Sequence, residues 1–171
     1  MKNRDIMLSA LKQHVLPLLY ERGFEGKYPH YRKNCGDCIE LISFMTNKWG
    51  GSFTVEVSVA FPNHPDKNYS LYGNITEQTL NAFCTNKRYR LPGTCDGWFY
   101  YFDVYRKRTL FFGTLYHAVS EKQAETFIPT KGYKLYQKFD EQTAIQICDE
   151  INVQLKKAFI WMEKFKAKHN K

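Results

Sequence analysis

The chain has 171 residues, of which 43% are hydrophobic and 16% are aromatic, so it can bury a sizeable core and is not expected to be disordered. Its formal net charge of +8 indicates an anionic partner or an ordinary basic surface. Residues 156–171 contribute +5 of this charge from six lysines and one glutamate, and such a cluster suits the C-terminal end of a helix.

Membrane insertion and secretion are not expected from the sequence. Charged residues interrupt the first 24 residues, and no apolar run approaches the ~18 residues that a spanning helix needs. The five cysteines are unevenly spaced, as expected for free thiols in a reducing compartment. We therefore expect a cytoplasmic protein without a membrane partner.

The first predicted element is a helix from about Asp5 to Arg22, with Asp5 as its N-cap. Pro17 removes one backbone donor, which predicts a kink. Gly23 is expected to end the helix in a left-handed conformation, with Phe24 folded back onto the last turn. Its apolar stripe consists of Leu8, Leu11, Val15 and Leu18.

Strands are predicted next, at residues 27–34, 38–46 and 52–61. The first is short and polar, which is typical of a position near a sheet edge. The third alternates strictly, so one face should be buried and the other wet or lightly covered. Its apolar face consists of Phe53, Val55, Val57, Val59 and Phe61.

The middle of the chain predicts a loop at 62–74 and a short helix at 75–86 that is capped by Thr76. A strand is expected to begin at 88–91 and a turn to follow at 93–97. Residues 98–105 are apolar on both faces, which predicts a central strand.

Residues 109–128 fit either a strand followed by a helix or mostly helix. A late strand is predicted at 133–139, and a final helix is predicted to begin after Asp140 as N-cap. The inward seam of that helix consists of Cys148, Ile151, Leu155, Ala158, Met162 and Phe165. Together these elements predict a single α+β domain over residues 1–171, an antiparallel sheet of about five or six strands with the N- and C-terminal helices packed on one face.

Cys35 and Cys38 form the sharpest chemical motif, a CxxC pair. Zinc needs about four ligands, and Cys84 with Cys95, or a cysteine with His30 or His64, does not form a standard second pair. A redox pair would lie at a helix N-terminus, whereas this one precedes an apolar strand. Zinc and redox chemistry stay as alternatives, but we interpret the motif as a hairpin bend and expect no metal and no cofactor.

Residues 86–108 interleave basic and aromatic side chains, as sheets that stack nucleic-acid bases do. In that reading Tyr89, Trp98 and Tyr100 or Tyr101 lie on an open face, with basic residues at its rim. In the other reading, which we favour, the aromatic residues are core and the charges mark strand ends.

Catalytic motifs are sparse. Asp96 and Asp103 flank an aromatic strand, while Glu40 and Glu56 are expected to pair with basic neighbours across the sheet. The histidines are scattered, and neither a nucleophile elbow nor a phosphate loop nor an HExxH motif is present. We predict no catalytic residues, and a small hydrolase-type enzyme remains the second alternative.

The order of these segments resembles the bacterial family of domains of unknown function DUF4304. The resemblance extends from about residue 5 to residue 165, and the cysteines lie outside the family pattern. It implies no activity, and only by analogy a small accessory protein, including the immunity type. The positions that carry it are Gly23, Phe24, Tyr31, Arg32, Lys48, Trp49, Phe53, Arg90, Asp96, Gly97 and Trp98.

The sequence therefore favours a non-enzymatic cytoplasmic domain that binds a protein, with nucleic-acid binding as the alternative. Tryptophan and arginine are the residue types that most often dominate the energy of protein interfaces. We expect a binding site where six residues meet at one end of the sheet: Tyr31, Arg32, Lys48, Trp49, Arg90 and Trp98.

Overall fold

A computed structural model describes residues 2–94, 96–124, 126–128 and 131–169 of the protein. Helices in these ranges are α1 (Asn3–His14), α2 (Leu16–Glu21), α3 (Glu121–Ala124) and α4 (Glu141–His169). The strands there are β1 (Glu25–Lys27), β2 (His30–Asn34), β3 (Ile39–Thr46), β4 (Ser52–Ala60), β5 (Arg88–Arg90), β6 (Phe99–Tyr100), β7 (Val104–Leu110), β8 (Gly113–Ala118) and β9 (Lys134–Gln137).

The strands form two antiparallel sheets. The main sheet has the order β1-β2-β3-β4-β5, and β6 pairs with β4 beyond the end of β5. A second sheet, which we call the hairpin sheet, has the order β8-β7-β9. The α+β prediction is thus confirmed, with the terminal helices against one face of the main sheet.

The first helix is divided in two at Val15, and Pro17 occupies the first turn of α2. The predicted kink is confirmed, because proline is tolerated in a first helical turn and not in a helix interior. Asp5 is not the N-cap, since α1 already begins at Asn3. Gly23 has φ +80° and the Phe24 amide donates to the Leu19 carbonyl at 3.0 Å, which is the predicted helix end.

The main core lies between the main sheet and the helices. The five apolar residues predicted for one face of β4 and its end are all buried there. All six residues of the predicted α4 seam are buried in the same cluster. Asp140 accepts the amide of Thr143 at 2.8 Å, so it caps α4 as the sequence predicts.

The opposite face of β4 is buried as well, which differs from the expectation of a wet or lightly covered face. Residues 62–87 fold over it through two 3₁₀ turns, Glu77–Thr79 and Ala82–Cys84. The predicted helix at 75–86 is therefore two short turns, with the expected cap at Thr76. A second core forms under this segment from Ile39, Leu41, Ala60, Tyr69, Leu80, Ala82 and Cys84.

The prediction of a central strand at 98–105 is wrong. Only Phe99 and Tyr100 pair with β4, and the chain then leaves the main sheet to enter β7. The aromatic residues of this segment do not indicate a central strand. Phe99 and Tyr101 are buried in the main core, and the residues after them cross to the hairpin sheet. In the described part of residues 109–128, strand precedes helix as in the first alternative, but the strand portion is a hairpin made of the end of β7 and β8, and α3 has only four residues. The late strand is β9.

The turn predicted at 93–97 closes through the Thr94 amide, which donates to the Trp98 carbonyl at 2.9 Å. Cys95, within that turn, lies outside the described residues. In the part of the chain that the structure describes, no helix combines the length and apolar character needed to cross a membrane.

Candidate binding surface

The β7–β8 hairpin presents two phenylalanines at its tip. Phe111 is 99% and Phe112 is 98% exposed, and their rings touch each other in an edge contact at 5.5 Å between centroids. Leu110 and Leu115 beside them are also exposed. Phenylalanine is among the residues most often buried, so two consecutive rings in solvent make this tip a candidate contact surface.

One face of the hairpin sheet is held by a cluster of rings. Tyr105 and His117 pair across β7 and β8, and Phe127 packs on both at 5.0 and 5.6 Å between centroids. Tyr133 closes the cluster against His117 and Phe127, and the Lys107 ammonium lies 5.6 Å from the Tyr133 ring centre. This cluster gives the sheet a packed face in addition to its backbone pairing, as small sheets need.

The other face carries charge and exposed rings. Tyr116 and Tyr136 contact each other at 5.0 Å between centroids, and both side chains are exposed. Arg106 is the register partner of both Tyr116 and Lys134. This face therefore combines aromatic area with two cations that lie opposite each other on adjacent strands.

A cleft of about 640 Å³ lies where the hairpin sheet joins the main sheet. Trp49, in the β3–β4 turn, borders it and is 52% exposed. The ammonium groups of Lys48 and Lys122 each lie 4.9 Å from the Trp49 ring centre, so the indole is held by two cation–π contacts. The other residues that line the cleft are Asn47, Phe102, Ala118, Ser120, Gln123 and Thr126.

Gly51 makes this junction sterically feasible. Its φ is +78°, and a Cβ there would lie 2.8 Å from Phe102 and 3.0 Å from the Cα of Ser120. The Tyr101 amide donates to the Gly51 carbonyl at 2.8 Å, which ties the exit of β6 to the β3–β4 turn. Only glycine allows this approach of two backbones.

The six residues proposed from the sequence lie in separate places. Tyr31 is buried in the main core, while Arg32 and Arg90 lie on the opposite face of the main sheet. Arg32 donates to the carbonyls of Glu77 and Gln78, so it fastens the 3₁₀ segment to β2.

Lys48 and Trp49 lie together at the cleft, and Trp98 is half-buried after the 93–97 turn. Of the six residues, Lys48 and Trp49 contact each other and lie at the surface near the hairpin sheet.

Arg90 belongs to an ion cluster in which two exposed arginines bind the buried carboxylate of Glu56. It donates twice to Glu56 Oε1, at 2.9 and 2.7 Å, and Arg88 contacts Oε2 of the same carboxylate at 2.8 Å. Gly97 lets the Arg90 side chain pass, since a Cβ at Gly97 would lie 2.6 Å from Arg90 Cδ. The expected pairing of Glu56 with basic neighbours is confirmed, and it gives Arg90 and Gly97 structural roles.

Glu40 is the second buried carboxylate, and it too has basic partners. Lys166 donates to Glu40 at 2.6 Å and to Glu163 at 2.6 Å. Burial opposes the charged form of Lys166, but these two bonds outweigh it and raise the pKa of the ammonium group. The pair joins β3 to the end of α4.

Cys35 and Cys38 flank the predicted bend, where the Cys35 amide donates to the Cys38 carbonyl at 2.9 Å and Gly36 has φ +85°. The hairpin interpretation is therefore confirmed. Burial, with the neighbouring Cys35, raises the pKa of the Cys38 thiol to about 11, so it is protonated at neutral pH. Among the described residues, no three His, Cys, Asp or Glu side chains are placed to hold a metal ion.

The structure also brings together a histidine and a serine. His30 Nδ1 lies 3.0 Å from Ser43 Oγ, and burial lowers the pKa of the imidazole. Ser43 is fully buried beneath the 3₁₀ turns, and its Oγ accepts the amide of Ala82 at 3.1 Å. The pair fastens the covering segment to the main sheet, because Ala82 of that segment donates to Ser43 of β3.

Sequence reasoning missed the phenylalanine tip. The signal was the Phe-Phe-Gly run between two alternating segments in the ambiguous region 109–128, which is a turn signal with apolar residues in the turn. Hydrophobic residues in a run of uncertain structure are normally assigned to a core, and here they lie in solvent.

The family model described as Domain of unknown function (DUF4304) matches residues 15–101, slightly more than half of the chain. This confirms the family that the sequence pattern indicated. The matched residues include the main sheet and exclude the hairpin sheet. No curated protein and no solved structure matches the chain.

Proposed function

Because the chain belongs to the family DUF4304, whose function is unknown, we propose its function from the surface that it exposes. It is a non-enzymatic protein-binding domain of the accessory type, and the hairpin sheet is its binding surface. The observation that carries this proposal is the almost complete exposure of Phe111 and Phe112 at the hairpin tip. Protein interfaces are enriched in aromatic residues and arginine, and this sheet presents both.

The tip supplies the affinity in this proposal. Burying a phenylalanine side chain contributes roughly 1.5–3 kcal/mol, so two rings can account for a large part of a micromolar interaction. Both rings lie in the tight turn between β7 and β8, which pair up to Leu110 and Gly113 on either side of it, so little backbone ordering is needed when a partner binds.

Lys48 and Trp49 extend the proposed surface from the hairpin sheet to the cleft at its base. Two cation–π contacts hold the Trp49 ring, and about half of the residue is exposed and free to contact a partner. Tyr31, Arg32 and Arg90 enter the proposal as residues that hold the scaffold, since their side chains bind other parts of the chain.

The cytoplasm is the proposed compartment. Cys35, Cys38, Cys84 and Cys148 are all free, which suits a reducing environment. A catalytic role is not part of the proposal, because Glu40 and Glu56, the buried carboxylates, are engaged by lysine and arginine.

The test is affinity capture from cells that encode the protein, with quantitation of the captured proteins. Phe111→Ser/Phe112→Ser should lose a specific partner that the wild type retains. Ile160→Ser is the matched control, since Ile160 is an exposed aliphatic residue on α4, and it should retain that partner. Capture that is the same for all three proteins would overturn the proposal.

Nucleic-acid binding is the second candidate, and one observation favours it: Arg106 and Lys134 share a face with the exposed Tyr116–Tyr136 pair. The residues first considered for base stacking are less suited, because Tyr101 is buried and Tyr89 packs on Trp161. Filter binding of single-stranded RNA over a salt series tests it. Salt-sensitive binding that Tyr116→Ala/Tyr136→Ala abolishes would support it.

A further inference from the structure

The hairpin sheet is cationic. Its three strands contain Arg106, Lys107, Arg108 and Lys134 and no aspartate or glutamate. With the residues that the structure describes, none of these four side chains forms an ion pair. The charge of this sheet is therefore available to a partner, in contrast to Arg88 and Arg90, which both pair with Glu56 within the fold.

This charge disfavours a second copy of the chain as the partner. Pairing two hairpin sheets would bring the same four cations of each copy together, and like charges across an interface cost affinity. An anionic partner gains from the same arrangement. The candidates are an acidic protein, a nucleic acid and an anionic lipid surface.

The distribution of the apolar side chains separates these candidates. Exposed apolar residues occur at the tip and also along the strands, at Leu115, Leu135 and the Tyr116–Tyr136 pair. β7 alone has seven residues, which at ~3.3 Å each gives a surface of roughly 20 Å from base to tip. A lipid surface would contact only the tip, and leucine side chains give little to nucleic-acid bases, which stack on aromatic rings.

We infer that the hairpin sheet binds a protein whose surface has an apolar pocket for Phe111 and Phe112, surrounded by acidic residues that face Arg106, Lys107 and Arg108. The inference rests on the proposed function and names the chemistry of its partner. The apolar pocket supplies most of the affinity, and the acidic rim supplies orientation and a faster encounter.

The first part of the test identifies the occupant by photo-crosslinking in cells. A benzophenone side chain replaces Phe112 at the tip or Tyr136 on the face, and Ile160 on α4 serves as the control position. The same protein should be captured from the tip and from the face, and not from Ile160. Capture of a second copy of the chain at both positions would overturn the inference.

The second part measures binding of the purified captured protein at low and at high salt. Arg106→Glu/Arg108→Glu should weaken binding at least about tenfold at low salt, and the difference from the wild type should shrink at high salt. Phe111→Ser/Phe112→Ser should weaken binding at low salt and at high salt. Circular dichroism checks that the variants are folded, as expected for exposed positions.

The outcomes separate the two claims. If the captured protein binds the charge-reversal variant as tightly as the wild type, the acidic rim is wrong and the protein-binding function stands. If only vesicles of phosphatidylcholine and phosphatidylglycerol, or only oligouridylate, bind in a way that Phe111→Ser/Phe112→Ser abolishes, both the inference and the proposed function are overturned.

Discussion

At the scale of single residues, Val57 shows how strongly β4 depends on burial in an apolar core. Its side chain is 0% exposed and belongs to the main core under the helices. Aspartate there would place an unpaired charge in apolar surroundings, which costs on the order of 5 kcal/mol or more, comparable with the whole free energy of unfolding of a domain. We expect Val57→Asp to prevent folding, as measured by circular dichroism and thermal melting.

The matched control is Val153→Asp, at an exposed position of α4. This variant introduces the same charge with the same loss of a valine. Its free energy of unfolding should stay within ~0.5 kcal/mol of that of the wild type, because the new carboxylate remains in solvent. A soluble Val57→Asp protein with the melting curve of the wild type would contradict the assignment of this strand to the core.

His30 gives the main sheet a dependence on pH. Partial burial lowers the pKa of its imidazole in the fold, so the unfolded chain binds the proton more tightly. The stability that results is complete above the unfolded pKa, about 6.5, and is lost as the pH falls through the lower folded value. The free energy of unfolding from urea titrations should therefore decrease on acidification below about pH 6.5.

His30→Gln removes the titrating group and keeps a polar side chain near Ser43. This variant should lack the part of the pH dependence that lies just below neutrality. Both proteins should lose stability at more acidic pH, where the lowered pKa values of Glu77 and Asp140 come into play. If the free energy of unfolding falls equally steeply with pH in the two proteins between neutral and mildly acidic pH, His30 is not the source of this pH dependence.

At the scale of elements, the tip of the β7–β8 hairpin should not contribute to stability. Phe111→Ser/Phe112→Ser should change the free energy of unfolding by no more than ~0.5 kcal/mol, because both rings are in solvent in the folded protein. Phe53→Ala, by contrast, removes a fully buried ring and should cost about 3–5 kcal/mol. Urea titrations of the three proteins measure the difference, and a loss of several kcal/mol in the tip variant would mean that the tip packs against the fold.

The helices and the strands of the main sheet could largely be predicted from periodicity and caps. β4 alternates, α4 has a seam and an aspartate cap, and Gly23 with Phe24 ends α2, so local sequence and fold agree. Residues 62–87 were not recognised as a cover, because their contacts with the sheet are made by irregular backbone and have no period.

The candidate site was harder to predict for a different reason. Arginine and tryptophan were selected as the residue types that interfaces prefer, but Arg32 and Arg90 bind partners that are distant in sequence, Glu77 and Glu56. The position of the phenylalanine tip depends on how a hairpin departs from the main sheet, which no local pattern describes. Lys48 and Trp49 remain candidates because they lie at the surface beside that departure.

At the scale of the whole molecule, we propose that both sheets belong to one domain. The hairpin sheet is connected at both ends to the main core, since Tyr101 before β7 and Phe139 after β9 are buried there and contact each other at 6.3 Å between ring centroids. Urea unfolding should therefore show a single transition, with coincident curves from circular dichroism and tryptophan fluorescence. Two separate transitions would indicate that the hairpin sheet folds independently.

The pair of lysines around Trp49 gives the protein a built-in optical reporter. The ammonium groups of Lys48 and Lys122 attract iodide to the half-exposed indole and repel caesium, so the two quenchers should act unequally on the part of the tryptophan emission that comes from Trp49, one of three tryptophans. An anionic partner bound at the base of the hairpin sheet would displace iodide and reduce the difference between iodide and caesium quenching. Docking could thus be followed with the natural fluorescence of the chain, without attaching a dye.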